Sequence, residues 1–311
     1  MNKKESFEKD LWEYSEGIAI GLSYFKERGF KDETIRFFGL GYAREMKDNF
    51  YQKSIKAGYS EEYLVSSGLV IKNERGAIDR FRGRVIFPIR TMAGRVQGFG
   101  GRILSSTAKT AKYLNSPESE VYHKSQVLYG IYESKKAIAK EDACYLVEGY
   151  TDVIQLFQNG IENVVSSSGT ALTSEQIRLI RRLTSNIVVL FDGDVAGLRA
   201  AIRGVDLILE QGMNVKICSF PEGEDPDSFA KSHSQEEINN YLKTEAKDFI
   251  EFKTHILLKE ANQDPVKKAV TVREIIQSIS KIPDPIQQEI YIKQCAVAME
   301  VSEPVLFNTL A

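Results

Sequence analysis

The sequence predicts an α/β protein built around a parallel sheet, with an α+β region before that sheet and a helical region after it. Three observations support this fold class. Strand-like apolar runs alternate with helical segments of ten or more residues between Ala143 and Phe220. A β-hairpin pattern precedes them at residues 81–104, and only helical patterns follow residue 233. We therefore predict three parts, residues 1–140, 141–232 and 233–311.

The first part begins with short helices and then becomes β-structure. Residues 1–70 carry amphipathic helical patterns, of which GIAIGLSYFKERGF is the clearest. The runs FRGRVIFPI and GRVQGFGGRIL flank the turn-forming TMAG, which predicts a hairpin. The segment KYLNSPESEVYHK is predicted to be a loop because Asn-Ser-Pro interrupts it.

The middle part repeats the order of strand, helix, strand. Its predicted strands are ACYLV, NVVSSS, NIVVLF and NVKICSF, and helices separate them. One of these helices begins at a capping box, Thr173 with Gln176 three residues later. Such alternation is typical of βαβ units with parallel strands. The last part is predicted to be helical, with a break at IPDP.

Composition restricts where the protein works. The longest apolar runs, such as IVVLF, are far shorter than the ~18 residues of a membrane span. The first residues lack the apolar core of a secretory signal. The three cysteines are far apart and form no Cys-x-x-Cys pair, so neither disulfides nor zinc are expected. We expect a cytoplasmic protein with buried thiols and no membrane contact.

Five carboxylates follow the predicted parallel strands. They are Glu148 after the first strand, Asp192 and Asp194 after the third, and Asp225 and Asp227 after the fourth. Ligands of such sheets bind beyond the carboxyl ends of the strands. Taken singly, Asp194 fits a helix N-cap and EDPD fits a solvated loop. Together, five carboxylates at one edge repel one another unless a cation lies between them, and oxygen-only ligands suit Mg²⁺ or Mn²⁺.

Positive charge is concentrated elsewhere in the chain. Eight basic residues and no acidic residue lie between Arg80 and Lys112, although the net charge is only −2. This distribution predicts a basic surface for phosphate groups. Arg90 and Arg95 also fit the charges that keep an edge strand from aggregating. His123 is expected to be a hydrogen-bonded structural residue, and Phe99 a core residue.

Seven motifs, in order, resemble the catalytic core of bacterial DnaG-type primases. They are FRGRVIFPI, GRVQGFGGRIL, KYLNSPES, HKSQVLYG, VEGYTDVI, FDGDVAGLRAA and EGEDPDS. Within them, Glu148-Gly149 and Asp192-Gly193-Asp194 match the signature of the Toprim fold that primases, topoisomerases and some nucleases share. The resemblance covers residues 15–232 closely and the helical tail weakly. It implies a Toprim parallel-sheet domain at residues 141–232.

The resemblance also implies roles for individual residues. The family's metal-binding acids match Glu148, Asp192, Asp194, Asp225 and Asp227, of which the first three are also expected to be catalytic, and Asp152 matches an accessory acid. The family's residues for template and nucleotide match Arg82, Arg84, Arg102, Lys112, Tyr113, Asn115 and Lys124. This chain departs from the pattern at Gly83, where many relatives carry an acid between the two arginines. We also expect neither the N-terminal zinc module nor the C-terminal helicase-binding domain here.

The function that the resemblance implies is metal-dependent synthesis of short RNA primers on a single-stranded DNA template. Its substrates would be nucleoside triphosphates, and its product an RNA–DNA hybrid held by the basic surface. The replicative helicase would be a partner only through the domain expected to be absent. Two alternatives stay open: another Toprim enzyme, such as a topoisomerase or nuclease, and a Toprim module that binds DNA without catalysis.

Overall fold

Residues 3–105, 110–192, 195–261 and 264–310 are described by the computed structural model of this chain. The chain divides into two units, residues 1–133 and 134–311. The predicted division into three parts, with boundaries at 140/141 and 232/233, stays a prediction.

An antiparallel sheet lies at the centre of the first unit. The strands are β1 Gly41–Ala43, β2 Val70–Asn73, β3 Gly76–Asp79, β4 Arg84–Arg90, β5 Val96–Ile103 and β6 Tyr113–Asn115. The sheet has the order β1-β4-β5-β6, and β2 and β3 form a separate hairpin. The predicted hairpin around TMAG is confirmed, since β4 and β5 pair antiparallel with a bulge at Ile89/Arg90.

Helices account for most of the remaining first unit. They are α1 Lys3–Glu13, α2 Ser23–Glu27, α3 Asp32–Phe38, α4 Asn49–Lys56 and α5 Glu61–Ser66, with a π-helical segment at Gly17–Leu22 and a 3₁₀ turn at Lys124–Gln126. The next helix, α6 Ile131–Glu141, begins in this unit and ends in the second. Phe99 is 3% exposed, as predicted, and packs edge-to-face on Phe7 with 5.3 Å between ring centroids. Aromatic packing of this kind stabilises the sheet against the helices.

Two predictions for this unit are wrong in detail. The helical region before residue 70 also contains β1, in which Gly41 pairs with Ile86. The predicted loop KYLNSPESEVYHK contains β6, in which Tyr113 pairs with Arg102. Both strands have only three residues, and pairing with a long neighbouring strand defines them more than their own sequence does.

The second unit contains the predicted parallel sheet. Its strands are β7 Cys144–Val147, β8 Val164–Ser166, β9 Asn186–Phe191, β10 Asn214–Ser219 and β11 Lys247–Asp248. The order is β11-β10-β9-β7-β8, and all pairs are parallel except the short edge strand β11. The helices are α7 Tyr150–Gln158, α8 Ser174–Arg181, α9 Val195–Glu210, α10 Pro226–Ser232, α11 Gln235–Glu245, α12 Phe249–Ala261, α13 Pro265–Ile279, α14 Pro285–Met299 and α15 Glu303–Leu310.

Capping residues begin several of these helices. The predicted capping box of α8 is confirmed, because the Gln176 amide donates to Thr173 Oγ1 and the Thr173 amide donates to Gln176 Oε1. The break at IPDP is also confirmed, since Asp284 caps α14 by accepting from the Ile286 amide. Across the part of the chain that is described, no helix has the length and apolarity to cross a membrane.

Candidate active site

Acidic side chains follow three adjacent strands of the parallel sheet. Glu148 comes directly after β7 and is exposed, and Asp192 comes directly after β9. Asp225 and Asp227 follow β10 at the start of α10. Because β7, β9 and β10 are neighbours and run parallel, these acids belong to one edge of the sheet. Asp194 lies outside the described residues, as does Gly193.

The electrostatics of Asp152 show that several acids lie near one another. Asp152 is half-buried in the first turn of α7 and accepts a hydrogen bond from the Gly149 amide at 3.0 Å. The pKa of Asp152 is raised to about 8, mainly by burial and further by the charges of Asp225, Asp192 and Asp227. The hydrogen bond from the Gly149 amide lowers this pKa and so opposes the shift. Four carboxyl groups therefore share one neighbourhood, and Asp152 keeps its proton near neutral pH.

Asp225 and Asp227 also have structural roles. Asp225 caps α10 by accepting from the Ser228 amide at 2.7 Å, and Ser228 Oγ accepts from the Asp225 amide in return. Asp227 is 7% exposed and pairs with Lys231 Nζ at 3.0 Å. The interpretation of EDPD as a solvated loop is therefore wrong, because a buried carboxylate and a capping box shape it. Lys231 was missed, although its position four residues after Asp227 is the spacing of a helical ion pair.

The donor chemistry of this cluster fits a hard divalent cation. Its members offer carboxylate oxygens only, the ligands that Mg²⁺ and Mn²⁺ prefer. Charge repulsion among them adds to the effect of burial on the pKa of Asp152, and a bound cation would relieve that repulsion. Over residues 3–105, 110–192, 195–261 and 264–310, no three Asp, Glu, His or Cys side chains are already gathered as a ligand group. The predicted ligand Asp194 lies beyond those ranges.

A cavity of about 470 Å³ opens beside Glu148. Its wall includes the ends of β7 and β9, residues 169–172 between β8 and α8, and Arg203 on α9. The volume is within the range of small-molecule sites. Glu148 is thus reached from solvent and from this cavity.

The basic residues of the first unit fall into exposed and buried groups. Arg82 and Lys112 are exposed, and Tyr113 on β6 is 40% exposed. Asn115, at the end of the same strand, is half-buried and pairs with Gly100. Lys112 directly precedes Tyr113 at the start of β6, which places a cation suited to phosphate next to a ring suited to stacking on a base.

Arg84 has a different environment from the one that the resemblance implies. It is 5% exposed, and its guanidinium donates to the carbonyl oxygens of Gly101, Ala111 and Lys112 at 3.0–3.3 Å. A Cβ at Gly101 would lie 2.6 Å from Phe81 Cδ1 and 3.1 Å from Arg84 Cδ, so glycine there gives both side chains room. The burial favours a positioning role, in which Arg84 fixes the backbone that carries Lys112, over direct contact with template.

Arg102 lies between two tyrosine rings. Its guanidinium carbon is 4.6 Å from the ring centroid of Tyr24 and 5.9 Å from that of Tyr113. Arg28 also lies over Tyr24, at 5.5 Å. Tyr24 and Arg28 were not predicted as part of this surface, because a helical pattern gives no sign that its side chains meet β5. Cation–π contacts hold both guanidinium groups at this surface.

Lys124 and His123 are organised by one carboxylate. The backbone amide of Lys124 donates to Glu118 Oε1 at 2.9 Å, and His123 Nδ1 lies 3.1 Å from Glu118 Oε2. The prediction that His123 is a hydrogen-bonded structural residue is confirmed. Glu118 thereby fixes the backbone on which the half-buried Lys124 is carried.

Two further features correct the interpretation of the basic strands. Arg90 forms an ion pair with Glu133 at 2.8 Å, with side chains only 10% and 4% exposed, so it does not act as a surface charge. Gly83 has a φ of +67°, and a Cβ there would meet Glu45 Oε2. The carboxylate of Glu45 thus occupies the space where a side chain at position 83 would begin.

Three family profiles match the chain in sequence order. Residues 7–135 match the N-terminal domain of the DNA primase catalytic core, and residues 145–230 match a Toprim-like domain. Residues 250–303 match the DnaB-helicase binding domain of primase. The expectation that a helicase-binding domain is absent is therefore wrong. The helices α12, α13 and α14, with a proline break before α14, gave no pattern by which that domain could be identified.

Known proteins with these domains are similar over almost the whole chain. A DNA primase of Clostridium acetobutylicum is 36% identical over 93% of this chain and 48% of its own length. The chain thus spans about half the length of the curated relatives it matches.

Solved structures give the same result. A DNA primase domain from Pseudomonas aeruginosa is 33% identical with a TM-score of 0.88, over 99% of this chain and 97% of that one. A DnaG primase catalytic domain bound to single-stranded DNA is 30% identical with a TM-score of 0.86, over 97% and 95%.

Proposed function

The chain belongs to the DNA primase family, and on that premise we propose that it synthesises short RNA primers on single-stranded DNA. The observation that carries the proposal is the acidic cluster at the carboxyl edge of the parallel sheet, where burial and, after it, the charges of three neighbouring aspartates raise the pKa of Asp152. A site of this kind suits a reaction whose substrates bring divalent cations with their phosphates.

The acids of the second unit would hold those cations. Mg²⁺ or Mn²⁺ would be bound by carboxylates that follow β7, β9 and β10, namely Glu148, Asp192, Asp194, Asp225 and Asp227. When bound, such ions lower the pKa of an attacking 3′-hydroxyl and offset charge on the leaving pyrophosphate. No zinc is part of the proposal.

Each acid has a distinct task in this scheme. Exposed Glu148 supplies either a cation ligand or an acceptor for the proton of the 3′-hydroxyl. Asp225, fixed as the cap of α10, and Asp227, held by Lys231, keep their carboxylates in place before substrate arrives. Asp152 keeps its proton and holds the turn at Gly149 through the bond from that amide.

The first unit would bind nucleic acid and nucleotide. Arg82, Lys112 and Lys124 offer positive charge to phosphates, and Tyr113 offers a ring to a base. Arg102 and Asn115 belong to the same surface, and Arg84 fixes its backbone. The bound species are the single-stranded template, incoming nucleoside triphosphates and the RNA–DNA hybrid. Pairing with the template selects each base, so the protein needs few base-specific groups.

The partner and place of action follow from the same assignment. Residues 250–303 would bind the replicative helicase, since they match the helicase-binding domain of primases. The protein would act in the cytoplasm at the nucleoid. A topoisomerase, a nuclease or a non-catalytic Toprim module is not favoured, because residues 7–135 match a domain of the primase core.

Incubation with single-stranded DNA, nucleoside triphosphates and Mg²⁺ tests the proposal. We expect short RNA products that disappear when the template or the nucleotides are omitted or when EDTA is added. Relaxation or cleavage of DNA without RNA synthesis would instead support a topoisomerase or nuclease. DNA binding without any product would support the non-catalytic module.

A further inference from the structure

Helix α12 carries a buried lysine outside the acidic cluster. Lys253 is 3% exposed, and its Nζ lies 3.2 Å from Asp206 Oδ1 on α9. The same ammonium group donates to Ser278 Oγ on α13, and Ser278 Oγ lies 2.6 Å from Asp206 Oδ1, to which it donates. These three residues, which we call the polar triad, link α12, α9 and α13.

The face of α12 that carries Lys253 is otherwise apolar. Phe249 and Ile250, four and three residues earlier, lie on the same face and are fully buried. An apolar side chain at position 253 would pack there without the cost of removing a charge from water. A buried ion pair adds little net stability, and its best-attested effect is to fix the register of packed elements. The polar triad can therefore set how α9 lies along α12 and α13.

Helix α12 also contacts the strand that precedes α9. Phe252, next to Lys253, packs edge-to-face on Phe191, with 5.5 Å between the ring centroids. Phe191 is 4% exposed, is the last residue of β9 and directly precedes Asp192. An edge-to-face contact restricts the orientation of both rings as well as burying them. Helix α12 thus holds the chain immediately before Asp192.

The two contacts lie on either side of a predicted cation-binding segment. The chain between β9 and α9 contains Asp192 and the predicted ligand Asp194. We propose that Phe252 and Lys253 are positioning residues for the cation site, because they fix the strand and the helix between which these acids are carried. This inference rests on the proposed function, since the site concerned is the cation site of that reaction.

A positioning role has a consequence that can be measured directly. A divalent cation needs several oxygen ligands at once, so a displaced carboxylate weakens its binding. The side chains of Phe252 and Lys253 offer no oxygen and cannot be ligands themselves. Their substitution would therefore weaken cation binding only through the acids that they position.

The first experiment measures binding of Mn²⁺ alone by the original chain and by Lys253→Met, using the electron paramagnetic resonance signal of the free ion. We expect the variant to bind Mn²⁺ about fivefold more weakly, or weaker still, because residues that orient metal ligands have effects of this order. The matched control is Lys281→Met. Lys281 pairs with Glu210 on the same helix α9 at 2.9 Å, but its side chain is 39% exposed. This control is expected to bind Mn²⁺ like the original chain.

A double variant, Asp206→Leu/Lys253→Met, separates positioning from stability. Lys253→Met alone leaves Asp206 without its cation, so a lower urea midpoint is expected. The double variant replaces the ion pair by apolar side chains, and Ser278 Oγ can still donate to the Glu274 carbonyl oxygen at 3.3 Å. We expect its urea midpoint to return to that of the original chain while its Mn²⁺ affinity stays reduced.

Several results would overturn the proposal. One is an Mn²⁺ affinity of Lys253→Met within about twofold of the original chain, which is too small a change for a residue that orients ligands. Another is an Mn²⁺ affinity that recovers together with the urea midpoint in the double variant, since Lys253 would then act on stability alone. An original chain that binds no Mn²⁺ would overturn it as well.

Phe252→Leu tests the second contact without disturbing any charge. Leucine keeps the position apolar but removes the ring that meets Phe191. We expect Mn²⁺ binding to weaken about twofold or more. An unchanged Mn²⁺ affinity would overturn the assignment of Phe252.

Primer synthesis separates this proposal from the function it rests on. The Mg²⁺ concentration for half-maximal synthesis should rise in Lys253→Met by the same factor as the loss of Mn²⁺ affinity, with single-stranded DNA binding unchanged. If the original chain makes no primers, the proposed activity fails while the Mn²⁺ affinities still decide the positioning role.

Discussion

Arg90 and Glu133 form the clearest buried ion pair of the first unit. Burial raises the pKa of Glu133, and the charge of Arg90 opposes that effect. We expect Arg90→Met to lower the free energy of unfolding by roughly 3 kcal/mol, because it leaves a buried carboxylate without its partner. Urea denaturation of both proteins measures this change.

The control for this substitution is Arg95→Met. Arg95 is exposed, so its loss is expected to change stability by no more than about 0.5 kcal/mol. Equal effects of the two substitutions would show that the Arg90 pair does not stabilise the fold.

Asp152 gives the metal-free protein a pH-dependent stability. Its pKa is raised to about 8 in the folded state, whereas an unfolded aspartate loses its proton near pH 4. Between these values the folded state binds more protons, so stability falls as pH rises from about 4 to about 8. We expect a loss of roughly 2 kcal/mol over that window, reduced from the full value because the side chain is only half-buried.

Urea titrations in EDTA at several pH values measure this dependence. Asp152→Asn carries no titrating group and is expected to flatten the curve between pH 5 and 8. If the variant keeps the same pH dependence, the proton is held elsewhere and the acids do not act on Asp152.

The role of a residue could be predicted from the sequence where its position relative to a recognisable strand indicates that role. Glu148 and Asp192 each follow an apolar run that can be recognised as a strand of a parallel sheet. Because the carboxyl ends of parallel strands lie at one edge, their shared edge is predictable. The burial of Arg84 is not, because its acceptors at Ala111 and Lys112 lie almost thirty residues further on. Glu45 beside Gly83 is equally hidden, since only the folded chain brings the two together.

Helix α10 shows that one acid can serve both the fold and the site. Asp225 caps this helix, so a loss of activity on mutation can arise from either role. Asparagine caps helices as well as aspartate does but carries no charge. We expect Asp225→Asn to keep stability within about 0.5 kcal/mol and to lose most metal-dependent primer synthesis.

Asp225→Ala separates the two roles further. It removes the cap as well as the charge, and we expect an additional loss of about 1 kcal/mol in stability. Primer synthesis that survives in Asp225→Asn but not in Asp225→Ala would show that the residue serves only the helix.

Two substitutions near strand β6 distinguish a residue that contacts DNA through its charge from one that only holds the backbone in position. Lys112→Ala removes an exposed charge, so the slope of log affinity for single-stranded DNA against log salt should fall by about 0.7. Arg84→Lys keeps its charge but cannot reach three carbonyls at once. We expect weaker DNA binding with an unchanged slope, and a stability loss of about 1–3 kcal/mol.

Affinity titrations at several salt concentrations give both slopes. If the slope falls equally in Arg84→Lys and Lys112→Ala, Arg84 contacts phosphate directly, as the resemblance implies, and does not only position the backbone.

Elements were predictable where their own sequence carries an apolar pattern. The parallel strands β7, β8, β9 and β10 and the β4–β5 hairpin have such patterns and were predicted. The strands β1 and β6, with three residues each, exist because β4 and β5 offer hydrogen bonds to them. The helicase-binding domain was missed because the helices of residues 250–303 carry no sequence motif that distinguishes them from other helices.

At the scale of the whole molecule, the chain divides chemistry between its units. The first unit carries the basic and aromatic residues suited to nucleic acid, and the second carries the acids suited to cations. Such a division explains why a near-neutral net charge of −2 conceals two strongly charged regions. The central claim is that the acids of the second unit, and not the basic residues, are specifically required for bond formation.

Primer synthesis by Asp192→Asn, measured beside single-stranded DNA binding by the same protein, tests that claim most directly. Removing this charge should abolish RNA synthesis at saturating Mg²⁺, while DNA binding stays equal or becomes slightly tighter because one repulsion with phosphate is gone. Lys112→Ala is the matched comparison, in which binding falls and synthesis is recovered at high template concentration. Undiminished synthesis by Asp192→Asn at saturating Mg²⁺ would contradict the assignment of the cation site.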